Sequence, residues 1–372
     1  MRSSKSFKRP LKKVFISGTN GLTAQYGGWD QLIRNVSEIL TDYYDVICHG
    51  SFFDANSESI KNFKSKEKLF KINANGISSI LFDFRCLLDA YLGKGVCLMI
   101  GTSGGIFFPI FKILGLKIVV NPDGYEWKRT KWNKFAKLFL FISDYLAINF
   151  SDVVICDHPV IQDRVKRITK TKTFYIPYGG DNAKHSSLGE LDYEFARKLE
   201  KNNYFFKVCR IEPENSIHLV IKACISAKVN LVIVGNWSNS KYGKRLKEKY
   251  GRNAYSNIFL IDPIYDPVKL GSLRSNCLSY IHGHTVGGTN PSLVEAMWLG
   301  LDIIAQKNEF NQITTCYKAT YFTDQKDLEK IISYKSKKDK ISKSGDKMRE
   351  IALKRYTHKN VSLKYLEVLK NL

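Results

Sequence analysis

The chain has 372 residues, of which 44% are hydrophobic, and it carries a formal net charge of +23 at pH 7. This length exceeds what one hydrophobic core usually organises, so it predicts two domains, and the composition excludes disorder as the default state. The charge favours anionic partners, such as phosphorylated small molecules, nucleic acid or an acidic membrane surface.

The cysteines and the N-terminal sequence indicate the cellular compartment in which we expect the protein. The eight cysteines include no CxxC pair, which predicts buried, reduced thiols rather than disulfides or a zinc site. The N-terminus lacks the apolar core of a signal peptide, and no apolar run approaches the roughly 18 residues of a membrane span. We therefore expect a cytoplasmic protein.

Short β-rich runs alternate with helical stretches along the chain. The first series predicts strands at 14–18, 45–48, 96–100, 117–121, 153–156 and 173–176. Apolar residues at helical spacing predict a helix over 29–40. After a polar segment, a second series predicts strands at 205–209, 231–234, 258–261, 278–282 and 302–305. This alternation is typical of α/β, doubly wound domains.

The pattern divides the chain into three parts. Residues 1–180 are expected to form an N-terminal Rossmann-like domain, and residues 181–356 a second Rossmann-like domain. The last part, 357–372, is an amphipathic helix that we expect to cross back to the first domain.

A glycine-rich loop follows the first predicted strand and leads into the first helix. It ends in Gly27 and Gly28, which allow the backbone to approach a ligand closely, while the helix start offers free amides to an anion. The loop is too long for the GxGxxG fingerprint, which argues against a dehydrogenase. The alternative is a flexible surface loop, although two glycines directly before a helix make it less favoured.

A second glycine-rich loop leads into a helix in the second domain. Asn290 is a suitable N-cap, and Pro291 suits the first helical position. We expect Ser292 and Leu293 to present free amides to a phosphate. Glu295 lies one turn further on an apolar helix, where a carboxylate needs a partner, and a ribose diol would fit. The alternative is a solvent-facing glutamate.

Polar side chains follow two other predicted strands. Arg210 can stabilise a developing diphosphate through its fork of donors, with a structural ion pair as the alternative. Asp123 and Glu126 follow the strand at 117–121, at the edge of the sheet where α/β folds bind ligands. The sequence contains no Asp-x-Asp, the usual carboxylate pair for a metal-bound nucleotide-sugar, so we expect no metal ion.

Basic side chains cluster in two segments. The N-terminal arm, residues 2–13, has six basic and no acidic residues. A second segment interleaves charged and aromatic side chains, namely Glu126, Trp127, Lys128, Arg129, Lys131, Trp132 and Lys134. Cations and aromatic rings together suit the surface of an anionic membrane, and the alternative is that the tryptophans pack into the domain. Neither segment has a recognition motif for nucleic acid, so none is expected as a partner.

Several of these segments together resemble glycosyltransferase family four, whose members have the two-domain GT-B fold. The similarity rests on Tyr26-Gly27-Gly28, on the stretch from Asp123 to Arg129, and on the stretch from Gly287 to Met297. The similarity extends over nearly the whole chain. Within the family, the chain resembles the subgroup of bacterial O-antigen and capsule rhamnosyl- or glucosyltransferases.

The resemblance implies roles for individual residues. Arg210 resembles the phosphate-binding arginine of the second domain, and Glu295 resembles the acid that holds the donor ribose. Gly27 and Gly28 resemble the loop near the donor diphosphate. Asp123 stands about where many members have a histidine close to the donor sugar.

The chain also departs from the wider family. Gly287 stands where the first acid of the Glu-x7-Glu motif would be, and Asn215 stands where a phosphate-binding lysine is usual. These departures put the usual contact to a sugar hydroxyl and half of the phosphate clamp in doubt.

The resemblance implies a retaining, metal-independent hexosyltransferase without a cofactor. Its donor would be a UDP- or dTDP-sugar bound mainly by the second domain. Its acceptor would be a polyprenyl-diphosphate-linked saccharide of O-antigen or capsule synthesis, at the inner face of the plasma membrane. The departures leave a second hypothesis open, in which the chain is a catalytically degenerate, transferase-like binding protein of the assembly machinery.

Overall fold

The computed structural model describes residues 12–24, 27–55, 63–122, 124–129, 132–191, 194–251, 254–337 and 344–372. Within them, the first sheet contains β1 (Lys13–Ser17), β2 (Asp45–Ser51), β3 (Lys66–Phe70), β4 (Val96–Ile100), β5 (Lys117–Asn121), β6 (Val153–Cys156) and β7 (Lys172–Tyr175). Its helices are α1 (Gly28–Leu40), α2 (Ser78–Leu92), α3 (Phe108–Ile113), α4 (Lys134–Phe150) and α5 (Pro159–Ile168).

The second sheet contains β8 (Tyr204–Val208), β9 (Asn230–Val234), β10 (Ile258–Ile261), β11 (Ser279–His282), β12 (Ile303–Gln306) and β13 (Thr320–Phe322). Its helices are α6 (Ile217–Ser226), α7 (Lys241–Tyr250), α8 (Pro267–Ser275), α9 (Pro291–Trp298), α10 (Glu309–Thr314), α11 (Gln325–Ser336) and α12 (Ser344–Arg355). The last helix is α13 (His358–Lys370).

Both sheets are parallel and doubly wound, which confirms the predicted α/β fold of two Rossmann-like domains. The strand order is β3-β2-β1-β4-β5-β6-β7 in the first sheet and β10-β9-β8-β11-β12-β13 in the second. In the first sheet Val14 pairs with Val46 on one side and with Val96 on the other. Central strands of this kind are buried on both faces, which explains why they consist of continuous apolar runs.

The edge strands β3 and β13 were not predicted from the sequence. The segment of β3 is Lys-Glu-Lys-Leu-Phe, and most of its side chains are exposed or half-buried. An edge strand is covered less than a central one, so it carries charged residues and gives little hydrophobic signal. Since β13 is only three residues long, it is also too short to produce a pattern.

Each sheet has one internal position at which the helices that cover it switch from one face of the sheet to the other. In the first domain, α1 packs Leu32 on one face and α3 packs Phe108 on the other. In the second domain, α6 packs Val220 on one face and α9 packs Leu293 on the other. Such a switch point opens a crevice at the carboxyl ends of the two strands involved, here β1 with β4 and β8 with β11.

The C-terminal helix α13 packs against α1 in the core of the first domain. Tyr365 and Leu366 belong to the same hydrophobic cluster as Leu32 of α1. The side chain of Asn121 donates a hydrogen bond of 2.7 Å to the buried hydroxyl of Tyr365. The end of the chain thus contributes apolar area to the domain with which the chain begins.

Two further observations concern the cysteines and the length of the helices. All eight cysteines are free thiols, and burial raises the pKa of Cys48 and Cys97 to about 12. No helix in the described part of the chain combines the length and the apolar composition that crossing a bilayer requires.

Candidate functional site

Glycine-containing loops of the two domains meet in a cleft between the two crevices. A Cβ atom added at Gly28 would lie 2.6 Å from Cγ of Pro291, so the starts of α1 and α9 touch. A Cβ atom at Gly124 would lie 3.8 Å from the carbonyl carbon of Gly287 and 3.9 Å from the nitrogen of Gly288. Three segments that the sequence singled out are therefore brought together.

The loop before α1 is held by an acidic residue inside the helix. Asp30 accepts a hydrogen bond of 3.1 Å from the amide of Gly27 and one of 3.3 Å from the amide of Asn20. Nothing lies within 4 Å of a Cβ position at Gly27, so its backbone faces open space. This loop is therefore anchored at one side and accessible at the other.

The start of α9 does not offer the amides that we expected to be free. The side chain of Asn290 accepts a hydrogen bond of 3.1 Å from the amide of Ser292, and its carbonyl accepts one of 3.1 Å from the amide of Leu293. The prediction of free amides at these two residues is wrong, because a good N-cap satisfies the very donors that an anion would use. An anion here would depend on the helix dipole and on cationic side chains.

Glu295 is buried in the second domain, which excludes the solvent-facing alternative. Its carboxylate forms an ion pair of 2.6 Å with Arg274 and accepts a hydrogen bond of 2.9 Å from the side-chain amide of Asn182. Both partners escaped the sequence analysis, because neither is close to Glu295 in the chain. Other segments of the chain therefore supply this carboxylate with partners, and a contact to a ribose remains a prediction.

Arg210 lies at the end of β8, beside the second switch point, and its side chain is exposed. No residue in the described part of the chain forms an ion pair with its guanidinium, so the structural-ion-pair alternative finds no support there. The nearby Asn215 is buried, and its side-chain amide donates a hydrogen bond of 2.6 Å to the backbone carbonyl of Arg210. Asn215 thus braces the loop and leaves the guanidinium of Arg210 available.

The segment after β5 forms a compact network at the same cleft. Glu126 pairs with Arg129 at 2.6 Å and accepts a hydrogen bond of 3.0 Å from the indole of Trp132. The ring of Trp127 packs edge-on against Phe141. Both tryptophans are half-buried, so neither lies in the core of the domain as the alternative proposed, and the membrane-surface hypothesis stays a prediction. Asp123, Lys131, Tyr26 and residues 1–11 of the N-terminal arm lie outside the described residues.

The exposed apolar side chains of this region lie instead on α4. Phe135 is 86% exposed, Leu138 is 59% exposed, and Ile142 is also exposed. Lys128 and Lys134 are exposed beside them. The sequence did carry a signal for this surface, since α4 has apolar residues on more faces than one domain contact can cover.

Metal ligation has no candidate here. No group of three or more His, Cys, Asp or Glu side chains within the described ranges could hold a metal ion.

Comparison with protein families assigns the two halves of the chain to different models. Residues 11–181 match the model described as a domain of unknown function (DUF1972). Residues 191–352 match the model described as glycosyl transferases group 1. Comparison with curated proteins gives no significant match.

Solved structures of similar fold cover nearly the whole chain. A sucrose-phosphate synthase from Thermosynechococcus elongatus is 14% identical with a TM-score of 0.79, over 97% of this chain and 98% of that one. HepE from Anabaena in complex with UDP-glucose is 14% identical with a TM-score of 0.74, over 97% and 100%. A glycosyltransferase from Rickettsia africae is 13% identical with a TM-score of 0.69, over 98% and 99%. These similarities support the GT-B arrangement of the two domains.

The buried ion pair makes Glu295 a structural residue whatever it binds. Replacing Glu295 with Ala leaves Arg274 buried without a counter-charge, and breaking a buried pair in this way costs about 3–5 kcal/mol. We expect the Glu295→Ala variant to lose this much free energy of unfolding in chemical denaturation. Glu350→Ala, which removes an exposed ion pair with Lys354, is the control and should change stability little. Equal stability of the two variants would contradict the importance of the buried pair.

Proposed function

We propose that this protein, whose second domain is a glycosyltransferase group 1 domain, moves a hexose from a nucleotide-diphosphate sugar to an acceptor. The donor occupies the cleft at the second switch point, mainly on the second domain. The reaction retains the anomeric configuration and needs no metal ion. Glucose and rhamnose are the sugars to test first, carried by UDP or dTDP.

The observation that carries this proposal is the exposed guanidinium of Arg210 at the mouth of the crevice, which forms no ion pair with any described residue. Its charge acts on His284, in the loop that leads to the start of α9, and helix starts favour negative charge. The complex of HepE with UDP-glucose supports UDP-glucose as the first donor to test.

The chemistry follows from where negative charge develops. As the bond between the sugar and the diphosphate breaks, the leaving diphosphate gains charge, and Arg210 stabilises it with charge-assisted hydrogen bonds. The acceptor hydroxyl attacks from the face that the diphosphate leaves, and its proton passes to the leaving phosphate. No protein nucleophile is required. Glu295 holds the ribose from within the second domain, beside Asn182 and Arg274.

Replacing Arg210 with Ala should lower kcat by about 100- to 1000-fold, the usual loss when one donor to a developing anion is removed. The assay is release of the nucleoside diphosphate from the donor with a lipid-linked acceptor, and NMR of the product gives the anomeric linkage. Arg245→Ala, on the exposed face of α7, is the matched control and should retain wild-type turnover.

Two further outcomes bear on the proposal. Turnover should persist in EDTA, and a loss that Mg²⁺ or Mn²⁺ restores would contradict the metal-independent mechanism. A wild type that binds the donor but never turns it over would favour the alternative of a degenerate, transferase-like binding protein.

We further propose that the acceptor is a polyprenyl-diphosphate-linked saccharide of O-antigen or capsule synthesis, reached from the inner face of the plasma membrane. The exposed apolar face of α4, with Phe135 and Leu138, lies on the first domain next to Lys128 and Lys134. Apolar side chains insert into the interfacial zone of a bilayer, and each cation near an acidic surface contributes about 1 kcal/mol. This surface would hold the protein where a lipid-linked acceptor is anchored.

In liposome flotation, vesicles with acidic lipid should carry the protein upward, neutral vesicles should carry much less, and salt should release it. Phe135→Ser together with Leu138→Ser should abolish flotation while leaving donor binding intact. Leu363→Ser, an exposed leucine of α13, serves as the control. A wild type that stays at the bottom with acidic vesicles at low salt would contradict the membrane proposal.

A further inference from the structure

Three side chains at the second switch point, two of them fully buried and the third half-buried, have ring or amine nitrogens without hydrogen-bond partners among the described residues. Lys207, on β8, is fully buried, and its ammonium group has no partner among the described residues. The same holds for both ring nitrogens of His282, at the end of β11, and for Nδ1 of His284. Buried polar groups are nearly always paired, so four unpaired nitrogens in one region require an explanation.

The backbone around Lys207 is shaped to leave room for its ammonium group. A Cβ atom at Gly283 would lie 3.1 Å from Nζ of Lys207 and 2.5 Å from the carbonyl oxygen of Asn215. Any residue with a side chain at position 283 would therefore displace the lysine or the loop after β8. The ammonium group lies directly against the loop that links β11 to α9.

The rings of His282 and His284 extend this cluster from Lys207 toward the cleft. Their rings stack with centroids 4.2 Å apart and an angle of 10° between the planes. Burial lowers the pKa of both rings well below the ordinary value, and the charge of Lys207 lowers both further. The charges of Arg210 and Arg129 also act on His284, so the cluster lies within reach of both sides of the cleft.

The cluster combines one amine with two imidazoles, and none of its three members is a carboxylate. No carboxylate in the described part of the chain acts on Lys207, and burial lowers its pKa. An unpaired charge in the interior is costly, so such a group persists where a ligand supplies the opposite charge. The side chain of Asn215 is turned toward the carbonyl of Arg210 and offers no charge.

We infer that Lys207, His282 and His284 form an anion-binding subsite that receives the donor diphosphate beside Arg210. Lys207 supplies from β8 the second cation that Asn215 does not supply from the loop. The two imidazoles supply donors at the edge of the cleft. This inference rests on the proposed function for the identity of the ligand, whereas the binding of an anion by these residues can be tested alone.

The test uses the full chain and two uncharged variants, Lys207→Met and Lys207→Gln. Calorimetry measures the binding of inorganic pyrophosphate, UDP, dTDP and uridine. We expect both variants to bind pyrophosphate and the nucleoside diphosphates roughly 10- to 100-fold more weakly, the range of one charge-assisted hydrogen bond, with uridine binding unchanged. Lys222→Met, an exposed lysine on the neighbouring helix α6, is the control and should bind like the wild type.

Thermal unfolding without ligand provides a second readout. Because Lys207→Met removes an unpaired buried cation and keeps the length of the side chain, we expect its Tm to equal or exceed that of the wild type. Pyrophosphate should raise the Tm of the wild type more than that of the variant. A purely structural lysine would give a lower Tm and unchanged binding of pyrophosphate, and this result would overturn the inference.

The remaining outcomes separate this inference from the proposed function. If pyrophosphate binding depends on Lys207 but no nucleotide sugar is turned over, the subsite stands and the proposed function fails. If nucleotide sugars are turned over and Lys207→Met binds UDP, dTDP and pyrophosphate like the wild type, the proposed function stands and the subsite fails. A wild type that binds no pyrophosphate at all contradicts the subsite.

Discussion

In each sheet the covering helices switch from one face to the other at one internal position. The switch opens a crevice at the carboxyl ends of two strands, and the candidate site depends on these two crevices. In the second domain α6 follows β8 on one face of the sheet, and α9 follows β11 on the other face. Arg210, after β8, and His284, after β11, therefore lie at the same crevice. In the first domain the same change places the start of α1 opposite the start of α9. Glycine at position 28 allows these helix starts to touch, because any Cβ atom there would collide with Pro291.

Two carboxylates near this opening are paired within the protein. Glu295 is neutralised within the second domain by Arg274, so it does not oppose an anion in the cleft. Glu126 is likewise paired with Arg129. Arg210 and Lys207, for which no described residue supplies an ion pair, lie on the side of the cleft that we assign to the donor. The proposed phosphate site at the start of α9 depends on these side chains, because the amides of Ser292 and Leu293 are already capped.

The sequence predicted the central strands and the doubly wound α/β fold, because strands that are buried on both faces consist of continuous apolar residues. It did not predict β3 and β13, whose positions at the edges remove that signal. Among the candidate site residues, Arg210 and Glu295 were predicted from their local sequence, and their roles stay predictions. Arg274 and Asn182, the partners of Glu295, were missed, because contacts between distant segments have no local pattern. Lys207 was missed for a related reason, since one lysine in an apolar strand resembles an exposed residue until burial is known.

Hydrogen–deuterium exchange of the wild type, with and without the nucleotide sugar that it turns over fastest, tests the central claim most directly. Donor binding between the two switch points should slow amide exchange in three segments: the loop before α1, residues 209–216 after β8, and residues 283–290 after β11. Exchange at the outer edges of both sheets, in β3 and β10, should be unchanged. Protection confined to segments outside the cleft, with these three loops unaffected, would contradict the account.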